Sequence, residues 1–376
     1  MDFELAQKYK ELQHEAQEVA DSVEPVAAEA DASNSIHSGV LEALRSSRLG
    51  ELVVPGSHGG RSETVDPMAV CVVREILMST SSHLDSLFAL QGIGSYALSV
   101  AGAEPIKDEW LPRVAAFDAL AALAITEPEA GSDVRSVSSA VTTEGRGLVL
   151  RGEKSFISNA GAAAFYTVLA REGDGFSTFF VPSELPGISV EPTPELIAPH
   201  VLGNVRFDDV FLDESNRVGP AGAGMELTLS TLAMYRVTVA GAAVGLADAA
   251  LKEAVRHARN REQFGRPLLR LGPVAVLLAE SWTELEAARL LTYRAAARAK
   301  RDGLANLHHS SMAKLAATEM ASRVVDRSVQ VMGRWGIIHD SKIERLYRQA
   351  RPMRIYEGAS DVLRLGIAKA LGQELE

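Results

Sequence analysis

The chain has 376 residues, more than one hydrophobic core usually serves, so two or three packed units are expected. Its 49 Asp and Glu residues outnumber its 38 Lys and Arg residues, which gives a formal net charge of −11. This charge argues against a general nucleic-acid-binding protein, because phosphate backbones repel an acidic surface. A hydrophobic fraction of 47% and a charged fraction of 23% are typical of a globular protein and exclude extensive disorder.

The cysteine content and the N-terminus bear on the compartment. The single cysteine, Cys71, excludes an internal disulfide and a cysteine metal site, and we interpret it as a small buried apolar residue. Residues 1–4 are acidic and are not followed by the apolar run of a signal peptide. The longest apolar stretches, such as 237–247, are shorter than the roughly 18 residues that span a bilayer. The sequence therefore predicts a cytoplasmic protein without a membrane partner.

Residues 1–120 have the periodicity of helices. Apolar side chains recur at helical spacing near the start of the chain, with glutamates between them: Leu5, Leu12, Ala16, Val19 and Val23. The pattern predicts an N-terminal α-helical domain over 1–120.

From about 121 to 222 the period changes to that of strands. Short β-rich runs at 148–150, 166–169 and 177–181 are separated by turn signals. The apolar residues between 205 and 212 predict a last strand that is interrupted at Asp208-Asp209. The segment predicts a small middle β domain, a barrel or a sandwich.

Helical patterning returns from 223 to the end. Apolar residues at 278, 282, 285, 288, 291 and 295 form the stripe of an amphipathic helix. Gly241 and Gly245 favour close packing of a helix against a neighbour. The order of helices, a β unit and helices predicts an α+β protein with a C-terminal helical bundle over 223–376.

Nucleotide and metal motifs are weak. The Gly-rich segment 219–224 lacks the Lys-Ser/Thr of a phosphate-binding loop and is interpreted as a linker, and no G-x-G-x-x-G motif occurs. His308 and His309 are adjacent, so they point to different sides of a helix. The sequence therefore predicts no metal site.

Five motifs occur in order along almost the whole chain. Residues 124–133 (AITEPEAGSD) resemble the first signature of the acyl-CoA dehydrogenase family, and 152–159 (GEKSFISN) resemble its second β-domain motif. Segments 261–267, 330–333 and 355–360 resemble three later motifs, the last of which carries the family's base. The resemblance implies the family's fold, with an N-terminal helical domain, a middle β domain and a C-terminal four-helix bundle. It also implies FAD as the cofactor and a homotetramer built as a dimer of dimers.

The resemblance places Glu357 at the position of the base. Removing an α-proton from a thioester requires a carboxylate in a water-poor site, with its pKa raised toward the working pH. The implied reaction gives the α-proton to Glu357, the β-hydride to flavin N5, and the electrons to electron-transfer flavoprotein or another acceptor. In some relatives the base precedes an arginine on another helix. Tyr235 occupies that position here, and a tyrosine cannot serve as a base near neutral pH.

The resemblance also implies a set of cofactor contacts. In the β domain it implies Leu123, Ile125, Thr126 and Ser158 near the isoalloxazine ring, Phe156 beside its dimethylbenzene side, and Ser132 near the pyrophosphate. In the helical domain it implies Arg261, Gln263 and Phe264 on the pyrophosphate of a neighbouring subunit's FAD, Gln330 and Gly333 near the adenosine half, and Ala359 and Asp361 beside the base.

The implied substrate contacts are Ser132, Arg236, Tyr356 and Gly358, of which Gly358 is small enough to let a thioester approach. Relatives often have an acidic residue where Ala233 stands, three residues before Arg236, beside the pantetheine arm. Because this residue is lost, the sequence leaves open whether the acyl group is carried by free CoA or by a carrier protein.

Other features depart from the family pattern, and other functions remain open. Arg334, Ala359 and Leu271 stand where relatives commonly have a Gly, a Thr and a Gln near the ADP half of the cofactor. The leading interpretation is an acyl-CoA dehydrogenase. The alternatives are desaturation of an acyl-carrier-protein substrate, an O2-using flavin oxidase or hydroxylase, and a non-catalytic DNA-binding relative. The net charge of −11 and the presence of Glu357 both count against the last.

Overall fold

The computed structural model describes residues 4–145 and 147–374. The first three residues, on which the prediction about a signal peptide partly depends, lie outside this range. The chain forms two compact units, one of residues 4–31, 67–85 and 236–374, and the other of the described residues in 32–66 and 86–235. The division at 120 and 222 stays a prediction.

The helices and strands follow the predicted order of helices, sheet and helices. The helices are α1 (Gln7–Val23), α2 (Ala27–Asp31), α3 (Ser38–Ser46), α4 (Pro67–Thr80), α5 (Ser82–Ala101), α6 (Glu104–Ala115), α7 (Gly224–Asn260), α8 (Gly272–Asp302), α9 (Leu307–Met332), α10 (Lys342–Ala350) and α11 (Ser360–Glu374). The strands are β1 (Ala121–Ala124), β2 (Ala140–Glu144), β3 (Gly147–Ser158), β4 (Phe165–Glu172), β5 (Gly175–Pro182), β6 (Ile188–Pro192), β7 (Leu202–Leu212), β8 (Arg217–Val218), β9 (Glu262–Gln263) and β10 (Arg266–Pro267). The α+β fold class is confirmed.

Eight strands of the second unit form one sheet, in which seven follow the order β6-β7-β3-β2-β4-β5-β8 and β1 lies off this path. Strand β1 pairs in parallel with β4, so that Leu123 faces Thr167 across the ladder. Alternate side chains point into an apolar core that includes Tyr166, Phe179 and Phe207. The sheet is therefore anchored on one face, and the end of β1 is fixed against its centre.

The predicted interruption of the last strand at Asp208-Asp209 is wrong, because β7 is continuous from Leu202 to Leu212. Between the pairs Leu150–Val210 and Gly152–Phe207, three steps along β7 match two along β3. This offset is a β-bulge, and Asp209 takes a φ of +53° within it. The bulge accommodates the two aspartates without ending the strand.

Close packing in the first unit depends on two glycines of α7. A Cβ on Gly241 would lie 2.7 Å from the Cys71 carbonyl oxygen, and one on Gly245 would lie 1.9 Å from the Glu75 carbonyl oxygen. Both contacts are with α4, so the predicted role of the glycines is confirmed. Cys71 is buried, as predicted.

In the described part of the chain, α7 is the helix that is long and apolar enough to cross a membrane by length and composition. Sequence analysis predicted no stretch of this length, because polar residues divide the apolar runs of this helix. In the structure, 83% of the apolar window of α7 is buried within the protein.

Candidate active site

Glu357 lies in the turn between a short 3-10 segment, Pro352–Arg354, and helix α11. Its φ is +52°, a left-handed conformation that is uncommon for residues other than glycine. Gly358 follows with a φ of +107°, and a Cβ there would lie 2.9 Å from the Leu363 side chain. Strained backbone of this kind is maintained only when the surrounding structure supports it, and it is frequent at functional sites.

Two buried cations hold this turn by its carbonyl groups. Arg236 donates from Nε to the Glu357 carbonyl oxygen at 2.8 Å and from Nη1 to Ser311 Oγ at 3.0 Å. Lys314 donates from Nζ to the Gly358 carbonyl oxygen at 2.8 Å. Because charge-assisted hydrogen bonds are stronger than neutral ones, these contacts stabilise the left-handed turn and the position of Glu357.

Glu357 is half-buried, and one oxygen of its carboxyl group is shielded from water. Its Oε2 atom is inaccessible to solvent and accepts no hydrogen bond from residues 4–145 or 147–374. Burial raises the pKa of Glu357, although the charges of Arg74, Arg236 and Lys314 act in the opposite direction. A carboxyl group with a raised pKa and an oxygen without a donor has the properties of a general base.

Sequence analysis missed Arg74, Ser311 and Lys314 in this site. Lys314 is fully buried, and burial lowers its pKa to about 8 although the Glu357 charge opposes the shift. The sequence does contain one signal for buried cations, a single basic residue within a mostly apolar helical stretch. Arg74 stands in this way within 69–77, and Lys314 within 312–317. Such residues are rarely buried without a partner.

The other predicted residues of this segment differ in exposure. Tyr356 is 40% exposed, whereas Ala359 is half-buried. Asp361 lies on the surface in the first turn of α11, where its Oδ1 atom accepts a hydrogen bond from Arg364 Nη1 at 2.8 Å.

In the sheet unit, a buried ion pair fixes the residues that follow β1. Lys154 donates from Nζ to Glu127 Oε1 at 2.8 Å and to the Ile125 carbonyl oxygen at 3.1 Å, while the Ser155 N–H donates to the Thr126 carbonyl oxygen at 2.8 Å. Burial acts to raise the pKa of Glu127, but hydrogen bonds from Lys154 and nearby serines lower it to about 2. The half-buried Ile125 and Thr126 are therefore held against β3.

A second bulge places Phe156 outside the sheet core. Three steps of β3 match two of β7 between Lys154 and Ile157, and Phe156 has a φ of +55° and is 52% exposed. Ser158 ends the strand, and its hydroxyl shares a hydrogen bond of 2.9 Å with His200 Nε2. His200 lies 42 residues away in the chain, so sequence analysis had no local signal for this contact.

The predicted cofactor residues beside the β9–β10 hairpin, before β2 and at the end of α9 are exposed. Arg261, Gln263 and Phe264 lie on or beside the β9–β10 hairpin, and Phe264 is 90% exposed with a φ of +53°. Ser132 lies in the loop before β2, Gln330 in the last turn of α9, and Gly333 directly after that helix. The structure thus groups Arg236, Tyr356, Glu357 and Gly358 in one unit, and Ile125, Thr126, Phe156 and Ser158 near the β1–β3 contact of the other.

Three family domains match the chain in order. The N-terminal domain of acyl-CoA dehydrogenases matches residues 6–118, the middle domain 122–210 and the C-terminal domain 222–372. The chain is similar to cyclohexane-1-carbonyl-CoA dehydrogenase of Geobacter metallireducens, with 32% identity over 364 residues and 95% of each chain covered.

Solved structures agree with these matches. The structure of butyryl-CoA dehydrogenase from Megasphaera elsdenii has a TM-score of 0.94 and 27% identity, with 99% of this chain and 100% of that chain covered. A glutaryl-CoA dehydrogenase from Mycobacterium smegmatis in complex with FADH2 has a TM-score of 0.91 and 25% identity, with 98% and 95% covered. The chain therefore belongs to the acyl-CoA dehydrogenase family, FAD-dependent oxidoreductases that dehydrogenate acyl-CoA thioesters.

Proposed function

We propose that Glu357 is the base that removes the α-proton of an acyl-CoA thioester, in a desaturation between Cα and Cβ. The observation that carries this proposal is the shielded Oε2 atom of a carboxyl group whose pKa burial raises. Bound FAD would supply the acceptor for the β-hydride. The turn is held through two carbonyl groups by Arg236 and Lys314, so the carboxylate can take up a proton without a change in its backbone.

We propose that the flavin ring binds beside Leu123, Ile125, Thr126, Phe156 and Ser158. Two half-buried hydroxyl groups and one half-exposed aromatic ring support this, because a flavin has apolar faces and a polar edge. The Lys154–Glu127 ion pair keeps this segment rigid before a cofactor binds. Ser132, Ala359 and Asp361 are proposed as further cofactor contacts on the motif resemblance alone.

We propose that the β9–β10 hairpin and residues 330–333 bind the FAD of a neighbouring subunit within a homotetramer. The 90% exposure of Phe264 at a strained turn supports a partner for this surface. Arg261 and Gln263 are the polar groups of the hairpin assigned to the pyrophosphate, and Gln330 and Gly333 are assigned to the adenosine half.

We propose free CoA as the acyl carrier, with Arg236, Tyr356, Gly358 and Ser132 as substrate contacts, because the family and the relatives act on CoA thioesters. Electron-transfer flavoprotein is the proposed acceptor and the cytoplasm the proposed location, without a nucleic-acid or membrane partner.

The test is an anaerobic titration of the FAD-loaded protein with butyryl-CoA, glutaryl-CoA and cyclohexane-1-carbonyl-CoA. At least one thioester is expected to bleach the flavin absorbance, and Glu357→Gln is expected to slow bleaching by about 10²- to 10⁴-fold with FAD still bound. Glu129→Gln, a change at an exposed carboxylate, is the matched control and should bleach as the parent does. Unchanged bleaching by Glu357→Gln would exclude this base. If none of the three CoA esters bleaches bound flavin, a carrier-protein substrate or O2 chemistry becomes the better interpretation.

A further inference from the structure

A buried ion pair joins helices α4 and α5. Arg74 donates from Nε to Asp85 Oδ1 at 2.9 Å and from Nη2 to Asp85 Oδ2 at 2.7 Å, and the two side chains are only 4% and 3% exposed. The third nitrogen, Nη1, donates to Thr238 Oγ1 on α7 at 2.8 Å. Desolvation makes a buried pair of this kind a poor source of stability, so its presence calls for another role.

The pair belongs to the surroundings of Glu357. Thr238 lies two residues after Arg236, which binds the Glu357 carbonyl oxygen. Arg74 and Asp85 both interact electrostatically with Glu357 and with the neighbouring Tyr356. The charged groups that act on Glu357 are therefore Arg74 from α4, Asp85 from α5, Arg236 from α7 and Lys314 from α9.

The balance among these charges determines how readily Glu357 accepts a proton. Three cations favour the carboxylate form, and a carboxylate that is too stable is a weak base. Asp85 is the anion among these four groups. Its bidentate contact neutralises Arg74, the cation with the strongest electrostatic effect on Glu357. Thr238 fixes the guanidinium group from the other side.

We propose that Arg74 and Asp85 are positioning residues for Glu357: Asp85 holds and neutralises the Arg74 guanidinium, so that the carboxylate stays basic enough to take an α-proton. The proposal rests on the proposed role of Glu357. It assigns to the reaction two residues that lie outside the five sequence motifs, and it makes opposite predictions for the two partners.

The test measures the pH at which the Glu357 carboxyl group of the FAD-loaded protein takes up its proton. Infrared difference spectra between pH values give this midpoint, and the Glu357 band is identified by its loss in Glu357→Gln. Asp85→Asn is expected to lower the midpoint and Arg74→Gln to raise it, each by about 1 pH unit. The double variant should lie between the two single variants.

Arg289→Gln is the matched control. It breaks another ion pair of the same unit, the partly buried contact with Glu75, and Arg289 is not one of the four charged groups named above. Its midpoint should equal that of the parent. Thermal melts check that each variant is folded. One folded single variant is enough to test the proposal, because each is expected to shift the midpoint in a stated direction.

Three outcomes would overturn the proposal and leave the Arg74–Asp85 pair with a structural role alone. The midpoint could shift in the same direction in both single variants, it could stay unchanged in a folded single variant, or it could shift equally in Arg289→Gln. Because the infrared measurement needs no turnover, its outcome is separate from that of the base assignment. Opposite shifts together with full bleaching by Glu357→Gln would sustain the electrostatic link and exclude the base.

Discussion

Glu357 combines a strained backbone with a carboxyl group whose charged form the fold disfavours. Arg236 and Lys314 support the backbone through the carbonyl groups of the turn, while burial opposes ionisation of the side chain. A residue in this state opposes folding when it is ionised, and it is retained where the chemistry needs it. Stability and activity should therefore respond in opposite directions when its charge is removed.

Glu357→Gln is expected to raise the melting temperature near pH 8 by about 2 °C while it slows flavin reduction as stated above. The raised pKa means that the folded protein binds this proton more tightly than the unfolded chain. The ionised side chain thus lowers the free energy of unfolding as pH rises above about 4.5. Calorimetry should show a gain near pH 8 that shrinks toward pH 5. A lower melting temperature of the variant near pH 8 would contradict this account.

Lys314→Met is expected to change how stability depends on pH above about 8. The folded pKa of Lys314 is lowered to about 8 from 10.5, so the unfolded chain binds more protons between these values. The parent should therefore gain stability from about pH 8 to about pH 10.5, by at most about 3 kcal/mol, and the variant should lack this gain. Urea unfolding at several pH values measures the difference. Equal slopes for the two proteins would mean that the pKa of Lys314 is the same in the folded protein and in the unfolded chain, as for a well solvated lysine.

Among the helices, α4 and α7 pack closely because two residues of α7 at their contact are glycines without a side chain. Gly241 and Gly245 let the backbone of α7 approach the carbonyl groups of Cys71 and Glu75. This contact brings Arg74 on α4 close enough to α7 to bind Thr238, and α7 also carries Arg236. The close spacing of α4 and α7 is therefore needed to form the site.

Gly245→Ala is expected to destabilise the protein by about 3 kcal/mol or more, because its Cβ would lie 1.9 Å from the Glu75 carbonyl oxygen and force the helices apart. The matched control is Gly366→Ala in α11, where a Cβ meets no atom within 4 Å. Alanine should stabilise that helix by up to about 1 kcal/mol. Denaturant unfolding compares the two variants. Equal stabilities would show that α4 and α7 can separate at little cost.

At the scale of the whole molecule, the chain carries an exposed aromatic hairpin that its own described residues do not cover. Phe264 is 90% exposed, and Trp282 on α8 is 64% exposed. Large exposed aromatic side chains are frequent in interfaces between subunits. The proposed homotetramer would cover part of this surface.

Phe264→Ala and Arg261→Ala are expected to weaken FAD binding by about tenfold or more if the hairpin grips a neighbouring subunit's cofactor. FAD occupancy and sedimentation velocity on the same samples measure binding and assembly together. Arg270→Ala, at an exposed arginine near the hairpin, serves as the control for a lost surface charge. Full FAD occupancy in an unchanged assembly would contradict the role of the hairpin.

The succession of helices, sheet and helices could be predicted from the sequence alone, because the apolar period is a local property of each segment. It also led to the proposal of Glu357 as the base, since the residue lies in a contiguous motif that resembles the family's motif. The break predicted at Asp208-Asp209 failed because local polarity does not show that a bulge can keep a strand paired.

The surroundings of the proposed base exist only in the folded protein. Arg74, Asp85, Arg236 and Lys314 come from four helices spread over 240 residues of chain, and no local pattern predicts that they act on one carboxyl group. Burial, which raises the pKa of Glu357, is likewise a property of packed helices. The proposed base is therefore indicated by a short motif, whereas its raised pKa arises only when distant charges and apolar surfaces are brought around it.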